Sequence, residues 1–596
     1  CDLYVAAFLL PKIKVPDSNS EGLVPTTTDV RWQLAGQQIN SQLYAATLKV
    51  SEDARLLHWP LAFPDVMIER GGFDVVLGNP PWDTMSPDVK EFFSGYEPEI
   101  RFMSPDDQKQ RLDELLQNAE LATVWEEEQS RLYRTANFLR NSNRFTLFAK
   151  GNLGKGDFNV YRMFVEFAFR GVKPGGVAAQ IVPENFYNGA NAAALRQFVF
   201  ERMRLLTLIT LENTRRVWFD IHASQKFCMY AAASGGATTT IPAAFGINSE
   251  AKLAELSALL PFQIPLSLVH ELSPAALAVP EFADPRDVSI VRKLHERLPS
   301  FGAPTPEGHD RVYMREIDMG NDRDSFSEDA DAIPLFEGRM VEAFDYRAKG
   351  YVGGRGRKSE WADLAFGHPS KAIRPQWFVL EENVPEKLSE RWHDYRIGFC
   401  DVASPSNSRT LVAAMIPPDT LCGHKVPTLS FSPPADELSL LWLGLANSFA
   451  LDFLARQKVA LTMSYTIVDS FPLPRRYQNT AVEQAIASRA ARLSCSGKEM
   501  AALWARLPST WSNLPPADDP GTRRLLRAEL DVLVARDFFG LTRDEMRYLL
   551  DPSSVLGPDC GIETFGALKR AEMRSEQSFT TFDLIMEAWD ALDVPR

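Results

Sequence analysis

The stretch Gly71-Gly72-Phe73-Asp74-Val75-Val76-Leu77-Gly78-Asn79-Pro80-Pro81-Trp82 constrains this chain more than any other. Phe73 to Leu77 is a short apolar run that reads as a buried strand, and the two consecutive prolines after Asn79 end it abruptly, since neither carries an N–H for a ladder. One amide, two prolines and one large aromatic at a strand end form a rigid turn of the kind that holds a ligand. Four residues alone would also suit a polar turn with no further role. The order of the elements that follow favours a site.

Downstream, Met163, Phe164, Phe167 and Ala168 share a helical stripe, and Lys173-Pro174-Gly175-Gly176 reads as a stop. Val177 to Pro183 reads as a buried strand, Leu195 to Met203 as a helix and Leu205 to Leu211 as a strand. Alternation of this kind predicts an α/β fold with a parallel, doubly wound sheet.

At 596 residues the chain is too long for a single core. The expected division is a first domain over 1–235 with a helical insertion at 85–150, then a proline-rich and small-residue transition at 236–300 holding a weak strand at Ile241 to Ile247. A second domain, rich in arginine and aromatics, is expected over 301–475, and a helical region over 476–596. In the last region Leu526, Leu530, Leu533 and Val534 make a core stripe, Gly540 suits a helix C-terminal cap, and Thr542 with Glu545 reads as a capping box.

The net charge of -14 argues against a protein that coats nucleic acid, without excluding a local basic groove. Six scattered cysteines, with no Cys-x-x-Cys pair and no Cys/His cluster, point to a reducing compartment and no metal. No apolar stretch approaches the ~20 residues that span a bilayer, so no membrane partner and a cytoplasmic location are expected. The chain opens on Cys1 followed by an apolar helix rather than on methionine, which suggests a fragment of a longer protein.

Asn79 offers a side-chain carbonyl oxygen and Pro80 a backbone carbonyl, two acceptors that match the two hydrogens of an exocyclic amine. The lone pair of such an amine is delocalised into its ring. Accepting both N–H bonds helps nitrogen rehybridise toward an incoming methyl carbon and stabilises the positive charge that develops there. Chemistry of this kind needs no His, Lys or metal as a prior base. Trp82 supplies a flat face for a planar target, and Pro80 and Pro81 remove torsional freedom.

Asp74 to Trp82 resembles the catalytic motif of amino-group methyltransferases that use S-adenosylmethionine, specifically the adenine-N6 DNA methyltransferases of the Eco57I-like, restriction-modification type. The resemblance extends to Cys1–Lys12, Asp157 to Pro183, Glu212 to Tyr230, Pro334-Leu335-Phe336-Glu337-Gly338-Arg339-Met340, Gly423-His424-Lys425 and Ala455-Arg456-Gln457-Lys458. Tryptophan in place of the commoner tyrosine is an accepted variant in this group. The resemblance implies the C-terminal part of a Rossmann-like methyltransferase sheet, then an α+β target-recognition domain and a helical region. It also implies S-adenosylmethionine as cofactor, duplex DNA as partner, and further subunits of a restriction or phage-defence system.

Carried over residue by residue, Asn79 and Pro80 hold the adenine amine, Pro81 sets the turn, and Trp82 stacks on a base flipped from the duplex, with Phe219 against its other side. Asp157, Phe158, Asn159 and Tyr161 match a motif that lines the cofactor and target pocket, although Asn159 also suits a helix cap. Arg347, Arg355, Arg357, Lys358 and Lys425 are the expected DNA contacts, interleaved with aromatics as base and phosphate reading requires. The family's glycine-rich cofactor loop and its ribose-binding acid have no match in the sequence, so the cofactor half of the fold is expected upstream. A methyltransferase acting on RNA adenine or a protein glutamine amide fits the same tetrad, and a non-catalytic DNA-binding specificity fragment is a third reading.

Overall fold

The computed structural model describes all residues except 13–22, 104, 151–157, 224, 257–259, 306, 355–357, 369, 389–390, 460, 512 and 594–596. The chain divides into two compact units, Cys1–Val279 and Pro280–Arg596.

The first unit is built on one six-stranded sheet. Its strands are β1 (Phe73–Gly78), β2 (Val172–Pro183), β3 (Met203–Glu212), β4 (Lys226–Ser234), β5 (Thr240–Ile247) and β6 (Phe262–Pro265), in the order β1-β2-β4-β3-β5-β6. β1 pairs parallel with β2, and β3 parallel with β5, while β4 runs antiparallel to both β2 and β3 and β6 antiparallel to β5. The sheet is therefore mixed, which differs from the expected parallel one. β3 returns to β4 through the connection 213–225, which holds a 3-10 turn at Thr214–Arg216 and no α-helical crossover among its described residues, and a return of that kind makes neighbours antiparallel.

β1 also departs from the expected buried strand. Among the described residues it is the edge of the sheet, with β2 as its one partner, and Val75 and Leu77 are 57% and 80% exposed. Apolar composition alone does not tell an edge strand from a central one, because both read as short apolar runs.

Close approach of β1 to β2 depends on Gly72, held at φ +133° with the backbone of residues 171–173 so near that a Cβ would lie 2.6 Å from the Gly171 carbonyl oxygen. Lys173 to Gly176 does not stop the chain. It lies within β2, where the register shifts between Phe73↔Val172 and Val75↔Val177 and the extra residues loop out.

Residues 85–150 are largely helical, with the long helix Ala119–Asn141 and a small core of Phe93, Ile100, Leu121 and Trp125. Two strands, β5 and β6, occupy the segment expected as a transition, and the boundary between units falls after Val279. The transition expected over 236–300 is corrected accordingly. Small residues are common in 236–247 because β5 is packed between neighbours on both edges, with Ala243 and Ala244 buried.

The second unit holds two four-stranded sheets, a hairpin (Lys349–Gly353 with Glu360–Asp363) and a set of helices from Asp436 onward. Residues 301–475 and 476–596, expected as separate regions, lie in this single unit. Helices Asp436–Ala446 and Ala481–Ser494 approach closely at Gly444, where a Cβ would meet Ile486 at 2.6 Å. Between the sheets, Arg396 and Glu316 form a buried bidentate pair at 2.6 and 2.9 Å, and Glu316 also accepts the Cys422 N–H at 2.8 Å. The expected capping box of Thr542 and Glu545 is present, Gly540 has φ +70°, and Leu526, Leu530, Leu533 and Val534 are buried. Among the described residues no single helix is long and apolar enough to cross a membrane.

His295, on the helix Pro285–Arg297, is buried with no partner for Nε2 among the described residues, and burial, helped by Lys458, pushes its pKa down to about 3. The folded imidazole thus binds fewer protons than the unfolded one between pH 6.5 and 3, so its contribution to stability falls as pH drops through that window. His295→Leu is expected to remove this acid sensitivity. Measured by urea unfolding, the wild type should lose about 2 kcal/mol relative to the variant between pH 7 and pH 5.

Candidate active site

The tetrad leaves the C-terminal end of β1, where open α/β sheets place their ligands. Asn79 and Pro81 are exposed, Pro80 is buried and Trp82 is half-buried. A hollow of 410 Å³ opens beside them, lined by Trp59, Val76, Leu77, Gly78, Asn79, Pro80, Pro81, Phe145, Met163, Phe164, Phe167 and Gln180. Most of this lining is aromatic or apolar, with the Asn79 and Gln180 amides as its polar side chains, a composition suited to a planar ligand.

Two hydrogen-bonded clamps fix the chain after the tetrad. The Asn159 amide donates to the Trp82 carbonyl at 2.8 Å, and its oxygen accepts the Tyr161 N–H at 3.2 Å. Around it, the Met85 N–H donates to the Phe158 carbonyl at 2.8 Å and the Val160 N–H to the Asp83 carbonyl at 2.9 Å. Asn159 is thus a brace for the tetrad, while the N-cap of the helix Tyr161–Gly171 is Val160, which makes no side-chain cap bond. Asp74, just upstream, forms an ion pair with Lys173 of β2, and that ammonium holds its carboxyl below the usual range.

The ring of Trp82 lies 5.8 Å from Phe219 at 81° and 5.4 Å from Phe227 at 44°. Phe219 is carried by a loop organised around Asn213, which is wholly buried. The Asn213 amide donates to the carbonyls of Phe219 (2.9 Å) and Ile221 (3.3 Å), and its oxygen accepts the N–H groups of Trp218 and Phe219 at 3.2 Å. Trp82 and Phe219, expected as partners, do meet, but edge to face. In this arrangement no base-wide gap separates them.

Phe158 is buried between Phe148, at 4.8 Å and 90°, and the Arg140 guanidinium, and Tyr161 is fully buried. Neither is in the lining of the hollow beside Asn79. Asp157 lies outside the described residues. Gln180 is the polar lining residue that sequence reasoning missed. It pairs with Gly78 across the β1–β2 ladder and its oxygen accepts the Tyr230 hydroxyl at 2.7 Å. A glutamine inside an apolar strand was the available signal.

Of the expected DNA contacts, Arg347 is corrected. It is buried, donates to the carbonyls of Lys371 (3.0 Å) and Ser496 (2.9 Å), and stacks on Tyr346, so it braces the second unit. Lys358 is exposed, Lys425 is half-exposed and 3.0 Å from Asp401, and Arg355 and Arg357 lie outside the described residues. Among the described residues no group of three His, Cys, Asp or Glu side chains is placed to hold a metal ion.

Residues 18–113, a span that includes the tetrad, match the family described as Eco57I restriction-modification methylase. No curated protein matches the chain. Similar solved structures include the Type IIL restriction-modification enzyme MmeI in complex with DNA, at 11% identity and a TM-score of 0.38 over 91% of this chain and 63% of that one. Another is the type IIG restriction endonuclease BpuSI, at 12% identity and a TM-score of 0.25 over 82% of this chain and 53% of that one. A nuclease-deletion mutant of the Type ISP enzyme LlaGI with a DNA substrate mimic is similar at 9% identity and a TM-score of 0.32, over 78% and 49% of the two chains. The chain thus spans less than two thirds of each of these proteins.

Asn213→Ala strands two buried N–H groups and two carbonyls and is expected to cost about 3 kcal/mol, whereas Asn159→Ala removes the bonds to the Trp82 carbonyl and the Tyr161 N–H and should cost about 1 kcal/mol. Urea unfolding of the two variants checks the ranking.

Proposed function

We propose that the chain is the target-base and DNA-reading part of a site-specific adenine-N6 DNA methyltransferase of a restriction-modification or phage-defence system, working in the cytoplasm with S-adenosylmethionine. The observation that carries this reading is the exposed Asn79 at the mouth of an aromatic hollow, at the end of a parallel strand, within the segment similar to a restriction-modification methylase. In this reading the Asn79 side-chain oxygen and the Pro80 carbonyl accept the two N–H bonds of the adenine amine. Nitrogen thereby gains nucleophilicity, and the charge that grows on it during transfer is stabilised. A base flipped from the duplex stacks on Trp82 once the Trp82 and Phe219 rings part.

The lining of the hollow fits one end of the cofactor. A sulfonium is a cation, and the faces of Phe145, Phe164 and Phe167 attract cations. When bound, the cofactor supplies the methyl group. The lining holds no carboxylate for a ribose diol, so the nucleoside end needs groups from elsewhere. Strands pairing with the free edge of β1, over the exposed Val75 and Leu77, are the proposed source. Lys358 and Lys425, together with Arg355 and Arg357, are the proposed DNA contacts of the second unit.

The test is methyl transfer from labelled S-adenosylmethionine to duplex DNA, followed by nucleoside analysis. Asn79→Ala is expected to lower the rate on the order of 10²-fold or more while leaving unfolding unchanged, since the side chain is exposed. Full activity in the variant would remove Asn79 from catalysis. Label in RNA or in protein glutamine, with none in duplex DNA, would overturn the substrate.

A further inference from the structure

The second unit contains a cleft that the methyl-transfer reading does not use. Two adjoining hollows of 790 and 430 Å³ share Gly338, Arg339, Cys400 and Val402 in their walls. In a chain of net charge -14, this cleft is lined by four cations, Arg339, Lys349, Arg409 and Lys425, against two carboxylates, Glu337 and Glu342. Lys349 is already paired with Asp363 and Arg409 with Asp452, so Arg339 and Lys425, the latter beside Asp401, are the cations left to face an anion.

Besides Trp361, whose Nε1 is a buried donor with no partner among the described residues, the wall residue with a partnerless polar atom is Glu337. Its Oε1 is buried with no hydrogen-bond partner among the described residues, a state that costs free energy until a donor arrives. Burial raises its pKa, outweighing the opposite pull of the neighbouring Arg339. The surroundings of Glu337 are otherwise well tied. Arg339 lies over the Trp361 ring at 5.9 Å, and the Asp401 carboxylate holds Lys425 at 3.0 Å and Arg315 at 2.7 Å. On the far wall, the loop of Ser406, Asn407 and Ser408 is fixed from behind by Arg456, whose guanidinium donates to the Asn407 and Ser408 carbonyls at 2.9 and 3.0 Å. A rigid cleft with one acceptor lacking a donor, rimmed by cations, is complementary to a ligand that joins an N–H donor to a phosphate.

We propose that this cleft reads one nucleotide of the DNA strand, with the exocyclic amine of an adenine or cytosine donating to the Glu337 carboxylate and the phosphate lying against Lys425 and Arg339. Glu337 is then a specificity-determining residue. The proposal rests on the DNA-methyltransferase reading above, and it names the chemistry of one base position within that reading. A carboxylate accepting from a base amine rejects a keto group at the same place, where two acceptors would face each other.

The experiment is selection of duplexes from a random-sequence pool by the whole chain, the Glu337→Leu variant and the Lys425→Ala variant, alongside thermal unfolding. The wild type is expected to enrich a motif. Glu337→Leu should relax preference at a single adenine or cytosine position by roughly ten-fold, keep the rest of the motif, and unfold at the same or a higher temperature because a partnerless acceptor is gone. Lys425→Ala should weaken all sequences alike and lower the salt slope by about one. An unchanged motif in Glu337→Leu overturns the proposal while leaving the methyltransferase reading intact, and so does loss of all binding with a lowered unfolding temperature, which would make Glu337 structural. Glu337-dependent binding of free dAMP or dCMP, with no motif enriched in DNA, also overturns it, as a site for a free nucleotide. Absence of both a motif and methyl transfer would overturn the parent reading and this one together.

Discussion

The parallel ladder between β1 and β2 is the contact on which the geometry of the tetrad rests. It sets Leu77 against Ala179 and Gly78 against Gln180, so the chain leaves the sheet with Asn79 beside the glutamine amide and above the aromatic floor. Two glycines make the approach feasible, Gly72 at its positive φ and Gly176, where a Cβ would lie 2.7 Å from the Phe73 carbonyl oxygen. A turn built on Pro80 and Pro81 has little freedom of its own, so its aim is inherited from the strand behind it. Asn159 then ties the far end of the turn to the start of the next helix.

The same economy of buried amides and guanidinium groups organises both units. Asn213 satisfies four backbone groups in the loop that carries Phe219, and Arg456 and Arg396 serve the same purpose in the second unit. Burial of such groups is favourable only when every donor and acceptor is met, which makes the loops they hold rigid. Satisfaction is not complete, since Arg347 Nε, Trp442 Nε1 and Glu337 Oε1 are buried without a hydrogen-bond partner among the described residues.

Arginine content is also where composition misleads. Arg347 sits in an arginine- and aromatic-rich stretch that reads as a nucleic-acid surface, yet its guanidinium is enclosed with Tyr346, Lys371 and Ser496. An arginine that braces carbonyls and one that meets phosphate carry the same letter, and the aromatic beside it packs in either case. Lys425 keeps its place on a cleft, since its neighbour Asp401 holds it at the rim.

By itself, the sequence determined the features that depend on local chemistry. These are the strand that ends in Asn79-Pro80-Pro81-Trp82, the helix–strand alternation after it, the capping box at Thr542 and the core stripe from Leu526 to Val534. Each follows from periodicity, from proline or from a side chain reaching its own backbone. Tertiary structure alone decided that β1 is an edge, that β4 turns the sheet mixed, and that 236–279 belongs to the first unit. It also decided that Trp82 and Phe219 meet edge to face, that Gln180 joins the site and that Arg347 leaves it. Those outcomes depend on which distant segments pair and which side chains they enclose, and a residue's own type and spacing carry no record of its partners.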